Sequence, residues 1–181
     1  MRIIGGALKG REIHAPHLSA RPTTDFAKEG LFNILANSCD FEELHVLDLF
    51  GGSGSISFEF ASRGCKSVTC VEMNAIHAFF IKRAAQQLKL DSLRVVHHNV
   101  FDFISICTHT YNIIFADPPF DLMHLELLPQ KIYSANLLQM DGIFILEHPS
   151  SFDFSDFQWF HRMVKYGSVH FSFFCFTPSS A

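Results

Sequence analysis

The 181-residue chain has no apolar stretch near the ~18 residues that span a bilayer, and its start, Met1-Arg2-Ile3-Ile4-Gly5-Gly6, lacks the long apolar region that directs secretion. A soluble, cytoplasmic protein with no membrane partner is expected. The five cysteines (Cys39, Cys65, Cys70, Cys107, Cys175) are odd in number and form no Cys-x-x-Cys pair. That argues against a disulfide framework and a zinc site, and the cysteines read as small core residues. Eleven histidines include the pair His97 and His98, but no His-Glu-x-x-His or other ligand spacing accompanies them, so no metal is expected. There is no internal repeat, low-complexity tract or long linker, and 48% apolar residues suffice for one compact core.

What is present begins with charge asymmetry. Residues 1–28 carry five basic groups (Arg2, Lys9, Arg11, Arg21, Lys28) against two acidic ones (Glu12, Asp25), a balance of +3, whereas the rest of the chain stands at −7. A positive arm on an acidic body localises attraction for a polyanion to one side, which suits nucleic acid.

From residue 40 onward, short β-rich runs alternate with helical stretches, an α/β signature. The strands are expected at His45–Phe50, Ser67–Glu72, Leu93–His97, Tyr111–Asp117 and Gly142–Glu147. Helices are expected at Ile56–Arg63 with a stop at Gly64, from a cap at Asn74 to about Leu90, around Phe101–Cys107, and from about His124 to Leu138. Such an order predicts a mostly parallel, doubly wound sheet. Before it, residues 3–13 read as a small hairpin within an arm of residues 1–22, and Thr24 or Asp25 starts a helix through about Ala36. The main domain is then 23–181. After the fifth strand, two runs around Gly167 within residues 161–176 predict an antiparallel hairpin added to the sheet edge, with Phe171, Phe173, Phe174 and Phe176 in strand packing.

In a doubly wound sheet the ligand crevice lies at the carboxyl ends of the central strands. The first strand exits through Asp48, Phe50, Gly51, Gly52, Ser53 and Gly54, where glycines let backbone approach a ligand. Glu72 ends the second strand, 24 residues after Asp48, and can accept from both hydroxyls of an unphosphorylated ribose. Met73 adjoins it. Asn99 and Val100 follow the third strand, where a side-chain amide and a backbone N–H can read an adenine edge. The glycine loop lacks the third glycine of a dinucleotide fingerprint and the Lys-Ser/Thr of a phosphate loop. This favours a nucleoside without a pyrophosphate, S-adenosylmethionine, over NAD or FAD.

The fourth strand ends in Asp117-Pro118-Pro119-Phe120. A carboxylate, two prolines that stiffen the turn and an aromatic ring present acceptor oxygens beside a stacking face, which suits a flat base carrying an exocyclic amino group.

Taken together, Arg2-Ile3-Ile4-Gly5-Gly6 with Gly10-Arg11, Arg21-Pro22-Thr23-Thr24-Asp25, Glu29-Gly30-Leu31-Phe32-Asn33, the glycine loop, Glu72-Met73-Asn74, Asp117-Pro118-Pro119-Phe120, Glu147-His148 and Tyr166-Gly167-Ser168 resemble the bacterial 16S ribosomal RNA guanine-N2 methyltransferases of the RsmD type. The resemblance runs over almost the whole chain. It implies a Rossmann-like class I methyltransferase sheet and a guanine of 16S ribosomal RNA, in the small subunit or an assembly intermediate, as substrate. It further implies Thr23, Thr24 and Asp25 near the methionine end of the cofactor, and action as a monomer. Gly51 stands where the resemblance leads one to expect Ala, and Asn99 where related enzymes often carry Asp.

On this reading the guanine leaves its stack, Phe120 stacks on it, and Asp117 and the Pro118 carbonyl accept from N2. Arg2, Lys9, Arg11, Arg21 and Lys28 hold RNA phosphates. The competing readings are an adenine-N6 methyltransferase, a non-catalytic RNA-binding assembly factor and a small-molecule amine methyltransferase.

Overall fold

The computed structural model describes residues 1–15, 25–119 and 122–175. Helix α1 spans Asp25–Ala36; β1 (His45–Leu49), α2 (Ser55–Ser62), β2 (Ser67–Glu72), α3 (Ala75–Gln87), β3 (Leu93–His97), α4 (Val100–Ile106) and β4 (Tyr111–Ala116) follow in alternation. Then come α5 (Leu128–Ser134), β5 (Leu138–His148), β6 (Phe160–Tyr166) and β7 (Val169–Cys175). The seven strands form one sheet in the order β3-β2-β1-β4-β5-β7-β6. β1 to β5 pair in parallel, whereas β7 runs antiparallel to both β5 and β6. This is a doubly wound, mostly parallel sheet with the C-terminal antiparallel hairpin that the sequence predicts, and winding reverses between β1 and β4. Apolar clusters cover both faces, one around Phe32, Phe58, Phe60 and Phe171, the other around Leu47, Ile114, Leu146 and Phe174. Fully buried parallel strands explain why Val46-Leu47 and Ile113-Ile114-Phe115 read as unbroken apolar runs rather than alternating ones.

Helix ends follow local chemistry. Gly64, at φ 88°, closes α2 as Gly64 N–H donates to Ala61 O and Cys65 N–H to Phe60 O. The same pair of bonds, around Lys89 (φ 55°), closes α3, with Lys89 N–H to Gln86 O and Leu90 N–H to Ala85 O, so the helix ends at Gln87, three residues short of the expected Leu90. The single helix expected over 124–138 is instead a 3-10 turn, Leu125–Leu127, followed by α5. Pro129, in the first turn of α5, has no N–H to continue a helix from Leu125, and Asn136 (φ 51°) stops it early. β5 accordingly starts at Leu138, with an irregular register between Tyr111 and Ile113 of its neighbour.

The expected N-terminal hairpin is reduced to one antiparallel bridge, Arg2 with Glu12. What holds residues 1–15 is the polar side of α2. Glu59 accepts from Ile4 N–H at 3.0 Å, and Ser62 donates to Gly5 O at 2.7 Å while accepting from Leu8 N–H at 3.0 Å. Ile3 and Ile13 join the main core. α2 is therefore buried all round, its polar residues serving as anchors rather than a solvent face.

Candidate active site

The registers set the site. Leu49 lies opposite both Val71 and Ala116, and Glu72 opposite His97. The residues that leave the sheet, Phe50, Glu72 and Asp117, therefore emerge at one level on three adjacent strands. Glu72 and Asp117 stand about two strand spacings, ~10 Å, apart with the glycine turn between them.

That turn is built by strain and close packing. Phe50 adopts φ 79°, a left-handed conformation costly for a non-glycine residue. Phe50 and Gly51 both donate to Val71 O, at 3.1 and 2.8 Å. A Cβ on Gly51 would sit 2.4 Å from Cys70 Sγ, and one on Gly54 2.7 Å from the Phe58 ring, so both are glycine because protein occupies the space. Around Gly52 (φ 54°) the nearest atom to such a Cβ is Phe50 O at 3.8 Å. Gly52 is thus the point where backbone lies open to a ligand. The Gly51 departure has its physical reason in Cys70: the sulfur fills the volume an alanine methyl would take.

Glu72 is 8% exposed, and its two carboxylate oxygens accept from Gly52 N–H and Asn74 N–H, each at 2.6 Å. The bonds fix the carboxylate beneath the open backbone of Gly52 and leave a further lone pair on each oxygen. Asn74 caps α3 by accepting from Ile76 and His77 N–H. Met73 is 64% exposed, and Asn99 Nδ2 donates to its sulfur at 3.5 Å, so the exits of β2 and β3 meet there. The Asn99 carbonyl oxygen is engaged as the α4 cap, accepting from Phe101 and Asp102 N–H at 2.8 and 3.3 Å. Val100 opens α4, where an N–H has no intrahelical acceptor.

Asp48 lies deeper than its motif suggests. It is 1% exposed and accepts from Ser57 Oγ at 2.5 Å. Burial, reinforced by the charge of Glu72, pushes its carboxyl up to about 6 against the Ser57 hydrogen bond. Its sequence signal, an acid inside HVLDLF, is that of a crevice residue; its place is a support under the glycine turn.

At the fourth exit Pro118 is buried, Pro119 exposed and Asp117 half-buried. Phe120 lies outside the described residues, as do Thr23, Thr24 and Arg21. Asp25 opens α1, half-exposed, 3.5 Å from Lys28 Nζ.

The sequence reading of the arm needs one correction. Lys28 is 1% exposed, and its ammonium donates to Arg2 O at 2.7 Å and Ser55 Oγ at 3.1 Å. It is a tether between arm, α1 and α2, and it cannot reach a phosphate. Its place in the helix is what the sequence conceals: it continues the buried stripe of Ala27, Leu31, Phe32 and Leu35. Arg2, Lys9 and Arg11 are exposed.

Glu147 and His148, at the end of β5, belong to a buried polar group that the sequence motif does not reveal. His148 is fully buried; its Nδ1 donates to Pro149 O at 3.0 Å, so Nε2 accepts from Ser172 Oγ at 2.8 Å. His170, paired with it in register, has a buried Nδ1 with no hydrogen-bond partner. Burial pulls both imidazoles below their ordinary pKa.

Among the described residues no helix is long and apolar enough to cross a membrane and no cluster of His, Cys, Asp or Glu is placed to hold a metal.

The family model described as "Conserved hypothetical protein 95" matches residues 1–175. The chain belongs to this family. Curated relatives include "Ribosomal RNA small subunit methyltransferase D" of Escherichia coli K12, 40% identical over 144 residues (78% of this chain, 68% of the relative). The protein of the same name from Buchnera aphidicola of Baizongia pistaciae is 30% identical, over 83% of this chain and 77% of its own. Among solved structures, "Putative methyltransferase yhhF from Escherichia coli" superimposes with a TM-score of 0.84 at 31% identity, covering 96% of each chain. The fold recurs in SMU.776, a methyltransferase by its description and complexed with SAH, at a TM-score of 0.64 and 16% identity over 81% of this chain and 48% of that one.

Proposed function

We propose that this family member transfers a methyl group from S-adenosylmethionine to the exocyclic N2 of a guanine in 16S ribosomal RNA, within the small subunit or an assembly intermediate. The observation that carries the reading is the common level of Phe50, Glu72 and Asp117 at the carboxyl edge, with two carboxylates on either side of one open glycine; this supports the roles of Glu72 at the ribose and Asp117 at the base. The relatives' ribosomal RNA names and the arm's exposed Arg2, Lys9 and Arg11 support RNA as substrate.

The residues suit this cofactor. Asp48 and Glu72 make the floor of the crevice acidic, which welcomes a cation and opposes a pyrophosphate. Glu72 holds the ribose hydroxyls with its remaining lone pairs; Met73 gives the adenine an apolar flank and the first N–H of α4, at Val100, meets a ring nitrogen. When bound, S-adenosylmethionine supplies an electrophilic methyl group.

The rest is the work of the chain. The Asp117 carboxylate and Pro118 carbonyl accept from the guanine amino group and turn it towards tetrahedral geometry, which frees a lone pair otherwise delocalised into the ring. Phe120 fixes the base plane by stacking, and positioning lowers the barrier. Transfer would exchange the methyl–sulfur bond for the N–C bond and leave the neutral thioether S-adenosylhomocysteine, while N2 loses a proton to Asp117 or to water. Asp117→Ala and Phe120→Ala should each abolish transfer while calorimetry finds cofactor binding largely intact. Full activity in either variant would sink the assignment.

A further inference from the structure

A groove of about 310 Å³ lies between α1 and the β6–β7 turn, lined among others by Phe26, Glu29, Gly30, Asn33, Asn37 and Tyr166. It is separate from the crevice but shares its edge of the sheet. β7 runs antiparallel to β5 with His170 opposite His148, so the turn after Tyr166 rises at the carboxyl end of β5, beside the exit of β4. From β4 through β5 and β7 to β6 is three strand spacings, ~14 Å.

Three features define what the groove takes. Its walls are aromatic and rigid. Phe26 is 68% exposed and meets Tyr166 edge-on at 5.6 Å, while the Tyr166 ring lies so close to Gly30 that a Cβ there would stand 2.1 Å from it. An exposed phenylalanine held against a locked tyrosine is a ready stacking surface. Its rim is polar: Glu29 and Asn33, on exposed turns of α1, and Asn37, just past its end, offer a carboxylate and two amides to the edge of a flat ring.

An exposed cation lies on the strand that carries Tyr166. Arg162, two positions before Val164 and four before Tyr166 on the same face of β6, is exposed with its guanidinium 4.9 Å above the Phe173 ring. On the other side of α1 the Lys28 bond to Arg2 O fastens the cationic arm to the same helix. The volume sits at the small end of ligand sites, ~300–1,000 Å³, which suits one base rather than a dinucleotide.

We propose that this groove binds a second, unmodified nucleobase of the same RNA, a base carrying an exocyclic amino group. The base stacks against Phe26 and Tyr166, its amino group donates to Glu29, and a neighbouring phosphate meets Arg162. The inference rests on the RNA methyltransferase reading and adds a specificity site to it. Two-point holding, target base in the crevice and a flanking base in the groove, fixes the strand's direction across the carboxyl edge.

Phe26 lies outside the core, so Phe26→Ala should fold normally. With S-adenosylmethionine and undermethylated small subunits, Phe26→Ala should raise KM for subunits about ten-fold, the loss of one stacked base. kcat and KM for the cofactor should hold, and Phe26→Trp should restore the wild-type KM. A photocrosslinker at position 26 should attach to RNA. Wild-type KM in Phe26→Ala, with the wild-type enzyme active, would overturn the groove and leave the function reading standing. Crosslinking to a ribosomal protein or a second copy of the chain would overturn it likewise. A wild-type protein that neither binds nor methylates subunits would overturn both.

Discussion

Asp48→Asn should make the protein more stable at neutral pH and leave it nearly unchanged in acid. The carboxyl is 1% exposed, and burial lifts its pKa from 3.8 to about 6. A carboxyl whose pKa rises on folding favours the fold where it is protonated. Its contribution is whole below its unfolded value of 3.8 and is lost as pH rises through about 6. Roughly two units at ~1.4 kcal/mol each correspond to about 3 kcal/mol of stability missing at pH 8. Asn keeps the shape, carries no charge and still accepts from Ser57 through its carbonyl oxygen. Urea denaturation from pH 4 to pH 8 should therefore show a variant-minus-wild-type difference within about 1 kcal/mol at pH 4 that grows to about 3 kcal/mol at pH 8, at unchanged m. His148 and His170 act in the opposite sense. Their lowered pKa values give stability that is present above the ordinary 6.5 and fades as pH falls below it, but both cancel in the difference. A difference independent of pH, or a variant less stable at pH 8, would refute the argument.

Glu72→Gln leaves one of the Gly52 and Asn74 N–H groups without an acceptor and weakens the ribose contact, so calorimetry with S-adenosylhomocysteine should find affinity lowered ten-fold or more; unchanged affinity would remove the ribose from Glu72. Lys28→Met should cost about 2–3 kcal/mol in urea, since Arg2 O and Ser55 lose their donor, yet leave the salt dependence of RNA binding as it was. Arg11→Ala should do the reverse, reducing the log–log salt slope by about 1 with stability intact. Gly51→Ala should cost about 1–3 kcal/mol by overpacking against Cys70, and adding Cys70→Ala should recover most of it; additive effects in that cycle would deny the contact.

Much of the architecture could be read from the chain because its local signals agree with its packing. β2 and β3 fall at Ser67–Glu72 and Leu93–His97 as expected, since β-branched runs bounded by turn residues have no competing helical period. Gly64 and Asn74 mark helix ends through the chemistry of their own caps. What the sequence conceals is where a polar residue turns inward. Lys28 looks like one more arm cation, but a buried helical stripe and a free carbonyl at Arg2 draw its ammonium inside. Ser57, Glu59 and Ser62 of α2 are polar yet buried, the pegs on which the body and the arm are hung. In the site, Glu72 could be read from its strand-end position alone. The depth of Asp48 could not, because it depends on Ser57, one helix away. The second half of β5 gave a clear run, whereas its start was masked by Pro129 and Asn136, which break a pattern that otherwise continues as a helix.

The central claim is methyl transfer to guanine N2 in 16S ribosomal RNA. Its most direct test is incubation of the protein with S-adenosylmethionine labelled in the methyl group and small ribosomal subunits from cells lacking it, followed by nucleoside analysis of the RNA. The account predicts label in N2-methylguanosine. Label in N6-methyladenosine, or no label from a protein that demonstrably binds the cofactor, would contradict it.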